Sequence, residues 1–348
     1  MEEPTVYLDT YYNFHVKEAI TVNDLVSDEI RSFVSPHWLN FPPSHPFIGD
    51  FISLFYAFLC TISISCNLFF IYLYVKDQSL KTPSNLLLMN LAVTEIMLMM
   101  TNGFPICILP FFNNYWAYGS SYCTFYGFCG AVTGGVTIFT LVAIGYDRYH
   151  SITSKYQTSA FTFTKACLVI LAIWIYALAI NLPPALGIWS HMALEGLLLT
   201  CSFEYTTDTF ENKSYVLFLT ITSFLLPLIL IFYFYILIIK TVHNYHKKVK
   251  SCNNSMIALA YSNSVSSEAK IHTIAITSVM LWVLAWTPYA VVVLIGQFGS
   301  RQLVTPLVSQ LPSISAKTFT ALNSVAIGLS HPHFSRAAKE KQEFYART

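Results

Sequence analysis

Ser313-Ile-Ser-Ala-Lys-Thr-Phe-Thr-Ala-Leu-Asn323 lies in the middle of the last hydrophobic segment of the chain, residues 303–329. At about 1.5 Å of rise per residue, Lys317 sits about 18–21 Å from either end of such a helix. A lysine stem does not reach that far, so an ammonium there meets the low-dielectric middle of a bilayer, at a cost of about 2.5–3.5 kcal/mol. The cost falls if the amine is neutral, pairs with a carboxylate, or condenses with an aldehyde. Two readings follow: a lysine facing a wet interhelical cavity with an acid nearby, or the attachment point of a carbonyl ligand.

Of 348 residues, 55% are hydrophobic and only 11% are charged. Ordinary soluble domains carry roughly 25% charged residues, so the composition is that of a membrane protein. A net charge of +1 without a basic run gives no sign of a nucleic-acid partner. The eight cysteines have no zinc-binding spacing, and most read as small apolar residues within spans. The N-terminus is acidic and has no apolar run of the signal-peptide kind, so no cleavable signal is expected.

Seven apolar runs follow a polar N-terminal tail, residues 1–47: 49–75, 84–110, 121–146, 166–188, 214–239, 271–298 and 303–329. Each is long enough to cross a hydrocarbon core of about 30 Å as a helix. The fold class is therefore an all-α membrane protein, a seven-transmembrane helix bundle over 48–330. Residues 331–348 are expected as a short amphipathic eighth helix and tail. One set of connections is rich in Lys and Arg (Lys76, Arg148, Lys165, Lys240, Lys270, Arg336), whereas the other holds only Lys17, Arg31, Lys213 and Arg301. The positive-inside rule puts the N-terminus outside and the C-terminus in the cytosol. The longest inner connection, 240–270, ends in a Ser/Asn-rich stretch that reads as a mobile loop.

Polar groups at membrane depth carry the remaining information. Asn67 and Glu95 need partners and should face the bundle interior, as members of an interhelical polar network. Cys123 and Cys201 fall on the oxidising side, where a disulfide would pin the second outer loop to the third span; two free thiols are the alternative. Asn212-Lys213-Ser214 is a glycosylation sequon close to the membrane. Asp147-Arg148-Tyr149 ends the third span, and Glu268 begins the sixth on the same side, so Arg148 could latch the two together. In the sixth span Pro288 predicts a kink, with Trp286 and Tyr289 on one face beside it. Aromatics at that spacing serve packing as readily as a ligand.

These motifs together resemble the opsins, within the rhodopsin-like G-protein-coupled receptors, and specifically the invertebrate rhabdomeric type. Asn67, Met89–Glu95, Cys123, Asp147-Arg148-Tyr149, Trp174, Pro227 with Tyr235, Ala285-Trp-Thr-Pro-Tyr289 and Cys201 stand where that receptor class has its motifs. Lys317 matches the family's retinal-binding lysine. Glu195, six residues before Cys201, matches the outer-loop glutamate that serves as counterion in invertebrate opsins. Tyr126 stands where vertebrate visual opsins carry their own.

The resemblance implies a light-activated receptor in the plasma membrane. It implies 11-cis-retinal held on Lys317 as a protonated Schiff base, with Glu195 as counterion and Tyr126, Trp286 and Tyr289 around it. It implies a heterotrimeric G protein, of the Gq class, as partner, with arrestin as a further one. Asn102, where ultraviolet opsins of insects carry a lysine, implies visible absorption. The pattern also departs from the family's. The NPxxY motif reads Asn323-Ser324-Val-Ala-Ile327, and Glu95 replaces an aspartate. A retinal photoisomerase with weak signalling is the alternative that the altered motif favours. Retained Lys317 and Glu195 disfavour a light-independent receptor, and the absence of an internal repeat disfavours a transporter.

Overall fold

The computed structural model describes residues 21–108, 116–153, 160–250 and 255–330; the side chains of 25, 152, 242, 244–250, 255–275 and 328–330 are not described. The expected eighth helix lies outside the described residues.

Seven long helices form the bundle. They are α1 (Pro46–Lys76), α2 (Pro83–Cys107), α3 (Gly119–Thr153) and α4 (Phe163–Ala185). Next comes α5, which runs Phe210–Leu219, then a π-turn Thr220–Leu225, then Leu226–Lys250. The last two are α6 (Ser255–Phe298) and α7 (Pro306–Ser330).

Local chemistry sets several starts. Thr82, Thr162 and Thr209 each accept the backbone N–H three residues on, at 3.2–3.3 Å, and Pro46 and Pro83 sit in the first turns of α1 and α2. Within the spans, hydroxyls such as Thr61, Thr133 and Thr140 donate to carbonyls four residues back, which removes a polar group from lipid.

The bundle is apolar outward and polar inward. Phe51, Leu54, Leu168, Ile175, Ile229 and Phe232 are exposed, whereas Asn67, Glu95, Asn102, Asp147 and Lys317 are buried. That inversion suits a hydrocarbon solvent. By length and composition six helices among the described residues qualify as membrane spans, and α7 is too polar to qualify alone. It is covered chiefly by α6 and α1. The chain is a multi-pass membrane protein.

Two large apolar clusters and a small third one, Leu59, Cys60, Met99 and Ala321, fill the described interior. One, around Trp38, Tyr56, Tyr126, Leu194 and Tyr215, lies at the end that carries a β-hairpin. The other, around Leu87, Leu91, Val136, Ile231, Trp282 and Ile327, fills the opposite half. The hairpin pairs β1 (Met192–Glu195) with β2 (Thr200–Phe203), antiparallel, with Leu194 opposite Cys201.

Within the N-terminal tail, residues 21–45 form three one-turn helices that fold over the hairpin and bury Val22, Val34 and Trp38. Leu194 N–H donates to the Phe33 carbonyl at 2.9 Å, and the Ser35 and Thr206 hydroxyls share a hydrogen bond of 2.6 Å. These apolar residues are too irregularly spaced to announce an element, and they are held by contact with the hairpin. The Ser/Asn-rich stretch read as a mobile loop is also helical, because α6 begins at Ser255. Extending an existing helix avoids the cost of nucleating one, so weak formers are carried along.

Candidate functional site

Lys317 is buried, 7% exposed, and its Nζ donates to Ser313 Oγ at 2.9 Å, one turn back along α7. Ser313 Oγ in turn shares a hydrogen bond of 3.0 Å with the Tyr56 hydroxyl of α1. The Tyr56 and Tyr126 ring centroids lie 5.8 Å and 5.9 Å from Nζ, within cation–π range. Among the described residues no carboxylate makes an ion pair with it within 4.0 Å.

The acid closest in role comes from the hairpin. Cys123 of α3 and Cys201 of β2 form a disulfide, Cα–Cα 5.4 Å, which holds the hairpin across the bundle. Glu195 ends β1, is 4% exposed, and accepts three hydroxyls: Tyr205 at 2.9 Å, Ser202 at 3.0 Å and Thr200 at 3.1 Å. Burial pushes its carboxyl up from the usual carboxylate range, and the Tyr205, Ser202 and Thr200 hydroxyls, with the Lys317 charge, pull it back. Gly196 lets the turn lie against α7. Its φ is +53°, and a Cβ there would meet Ser309 Oγ at 1.9 Å and the Pro306 carbonyl at 2.9 Å.

Between these groups and α5 and α6 lies a cavity of about 140 Å³, lined by Lys317, Glu195, Tyr126, Trp286, Tyr289 and a run of small α3 residues. Gly134 keeps that wall flat, since a Cβ would sit 2.5 Å from the Trp286 ring. Trp286 stacks on Trp282 (centroids 6.2 Å apart) and meets Tyr289 edge-on at 6.1 Å, beside Pro288 inside α6. Both π-turns face the cavity. Asn102, in the α2 turn (Met99–Gly103), donates to the Tyr126 carbonyl at 2.8 Å, and its own carbonyl accepts the Tyr126 hydroxyl at 3.0 Å.

In the middle of the bundle Glu95 gathers the polar network expected for it. Its Oε2 accepts Ser324 Oγ at 2.7 Å and Asn67 Nδ2 at 3.0 Å, while Asn323 Nδ2 donates to Oε1. Ser63 and Ser324 share a further bond of 2.9 Å. At the far end Arg148 pairs with its neighbour Asp147, which also accepts Ser84 Oγ at 2.6 Å and Ala160 N–H at 2.9 Å. Tyr149 stacks on Phe234. The expected partner Glu268 lies in α6, where its side chain is outside the described residues. The Tyr235 hydroxyl is buried without a hydrogen-bond partner among the described residues, and Ile327 packs in the same cluster.

Asn212, proposed as a sequon, is 4% exposed in the first turn of α5, which is no position for a glycan. Tyr56, Ser313 and the three hydroxyls on Glu195 were not legible in the sequence. Their roles depend on the hairpin register and on which face α1 turns inward.

The 7 transmembrane receptor (rhodopsin family) model matches residues 66–326. A compound eye opsin of Hemigrapsus sanguineus is 34% identical over 328 residues, 93% of this chain and 87% of that one. A rhodopsin of Mizuhopecten yessoensis, described as GQ-coupled, is 37% identical over 313 residues, 88% of this chain and 62% of that one. The crystal structure of squid rhodopsin superposes with a TM-score of 0.82 at 29% identity, covering 92% of both chains. With a buried lysine in α7, a disulfide-held hairpin over it and these relatives along nearly its whole length, the chain belongs to the rhodopsin family of seven-transmembrane receptors and, within it, to the opsins of the invertebrate type.

Proposed function

We propose that this opsin is a light-activated receptor of the plasma membrane, its hairpin end outside, that carries retinal on Lys317 and signals to a heterotrimeric G protein of the Gq class. The observation that carries the reading is a primary amine buried at one end of an otherwise largely apolar cavity, with a caged carboxylate beside it. The residues present fit such a group: an amine to condense with an aldehyde, a flat glycine wall for a polyene, and Trp286 and Tyr289 for a ring. When bound, retinal supplies an isomerisation driven by visible light.

The chain does the rest. Lys317 fixes one end, with Ser313 and the Tyr56 and Tyr126 rings holding its nitrogen. Glu195 neutralises positive charge on that nitrogen through the low-dielectric interior, where a charge without a partner is costly. Trp286 beside Pro288 is the contact through which a change of cavity shape reaches α6, because the proline leaves a backbone bond open and the helix pivots there. Opening of the inner end, where Arg148 is paired with Asp147, exposes a cleft for the G protein, with arrestin as a later occupant. The Gq-coupled description of the scallop-like relative supports the partner class.

An absorption spectrum of the expressed chain with 11-cis-retinal, before and after illumination, tests the reading. A visible dark band is expected. Glu195→Gln removes the carboxylate, so the band should move into the near ultraviolet at neutral pH and return on acidification. A band unchanged in position and pH dependence would remove Glu195 from its role.

The altered end of α7 favours weakened coupling. Ile327 offers no hydroxyl to Tyr235, whose own hydroxyl is buried and has no partner among the described residues. Ile327→Tyr is expected to raise light-triggered nucleotide exchange per photon, by up to about tenfold if about 1.4 kcal/mol is recovered in the active state. Ser324→Pro acts the other way. It deletes the hydroxyl that bonds Glu95 and Ser63, and should lower thermal stability by about 1–3 kcal/mol. Photochemistry without nucleotide exchange in either chain would favour the photoisomerase.

A further inference from the structure

Lys317 and Glu195 face one another across the hairpin end of the cavity without an ion pair. A run of neutral groups stands between them. Thr200 Oγ1 lies 3.1 Å from Glu195 Oε1 and 3.4 Å from Gln310 Oε1, so its single proton is shared between two acceptors. From the other side, Lys317 Nζ donates to Ser313 Oγ at 2.9 Å, and Ser313 lies 3.0 Å from the Tyr56 hydroxyl.

Gln310, Ser313 and Lys317 follow at three- and four-residue steps, which puts them on one face of α7. Gln310 is 1% exposed, and its Nε2 is buried with no hydrogen bond among the described residues. That amide lies close to the Tyr56 hydroxyl without bonding it. A buried amide left half-satisfied is costly, and exchanging its oxygen and nitrogen turns the donor toward Thr200 and the acceptor toward Tyr56.

We infer that Gln310 is a positioning residue that completes a hydrogen-bonded relay from Glu195 through Thr200, Gln310, Tyr56 and Ser313 to the Lys317 nitrogen. The relay sets how strongly the carboxylate acts on that nitrogen; this rests on the retinal reading of the site. An amide suits the position because it carries both kinds of group: turned end for end, its oxygen accepts the Tyr56 hydroxyl and its nitrogen donates to Thr200, whose one proton then goes to Glu195. Leucine does neither, and an ionised glutamate only accepts. Aligned dipoles in a low-dielectric interior carry the influence of a charge across a gap that no direct contact bridges. The other titratable groups around the pair are Tyr56 and Cys60 of α1, Tyr126 of α3, Tyr205 after β2 and Tyr289 of α6. None of them is a second carboxylate.

The test is a pH titration of the visible band of the full chain reconstituted with 11-cis-retinal. Gln310→Leu should lower the midpoint by about one pH unit, tenfold in proton affinity. Tyr56→Phe, which deletes one hydroxyl, should lower it in the same direction and serves if Gln310→Leu does not fold. Gln310→Glu, which brings a carboxylate nearer the nitrogen, should raise it. In a Glu195→Gln background Gln310→Leu should have little further effect, because Gln310 acts through Glu195. Unchanged midpoints in folded Gln310→Leu and Tyr56→Phe, or equal shifts with and without Glu195, would overturn the relay and leave the retinal site standing. Absence of any band from the unaltered chain would overturn the retinal reading itself, and this inference with it.

Discussion

Lys317→Ala, expressed and incubated with 11-cis-retinal, is expected to show no visible band and no adduct that borohydride can trap. The effect should be complete, because the bond itself is lost. Its specificity comes from burial. Lys317 is 7% exposed at a cavity wall, whereas Lys76, Lys165 and Lys240 are exposed and Lys213 is paired with Asp208 at 2.5 Å. A hydrated ammonium has no free lone pair and is a poor nucleophile toward an aldehyde. Lys317→Arg should fail equally, since a guanidinium does not deprotonate in a protein. Mass spectrometry of the reduced, digested pigment is the check. An adduct at full yield on another lysine would remove Lys317 from the centre of the site.

The second large effect belongs to the disulfide. Cys201→Ser is expected to cost about 4–5 kcal/mol by the chain-entropy estimate for a closure of 78 residues. That is a large part of the stability of an ordinary domain. The loss should exceed the entropy term in its consequences, because the bond holds the hairpin that delivers Glu195, Thr200 and Ser202 to the cavity. The variant should reach the cell surface in small amounts, and any pigment recovered should have a displaced band and bleach faster in hydroxylamine. Cys123→Ser should match it, and the double variant should be no worse than either single one, since both remove one bond. A double variant clearly worse than the singles would show that the two thiols serve separate purposes.

The sequence was most legible where one residue violates its surroundings. Lys317, Glu95 and Asn67 stand out as polar groups in apolar runs, and membrane thickness turns such a position into a depth. Cys123 and Cys201 were legible once span order placed both on one side. Glu195 was matched by resemblance, but its cage of Thr200, Ser202 and Tyr205 follows from strand register and a glycine turn, which are tertiary facts. The pairing of Arg148 with Asp147, and of Asp147 with Ser84, also required the packing of α2 on α3. The Ser255–Lys270 stretch misled because low helix propensity was weighed without the long helix that continues it.

The polarity of α7 has a consequence for how the protein is made. Six segments of the chain are long and apolar enough to cross a membrane by composition, and the last, α7, is more polar than these. A lysine at its centre opposes partitioning into lipid by about 2.5–3.5 kcal/mol. The last helix therefore enters the bilayer as a client of helices already there. α6 and α1 cover it, Tyr56 and Ser313 take up its amine, and Glu95 takes up Asn323 and Ser324. Biogenesis and light detection thus make opposite demands on Lys317, and a substitution that removes it empties the site while easing the entry of its final wall into the membrane.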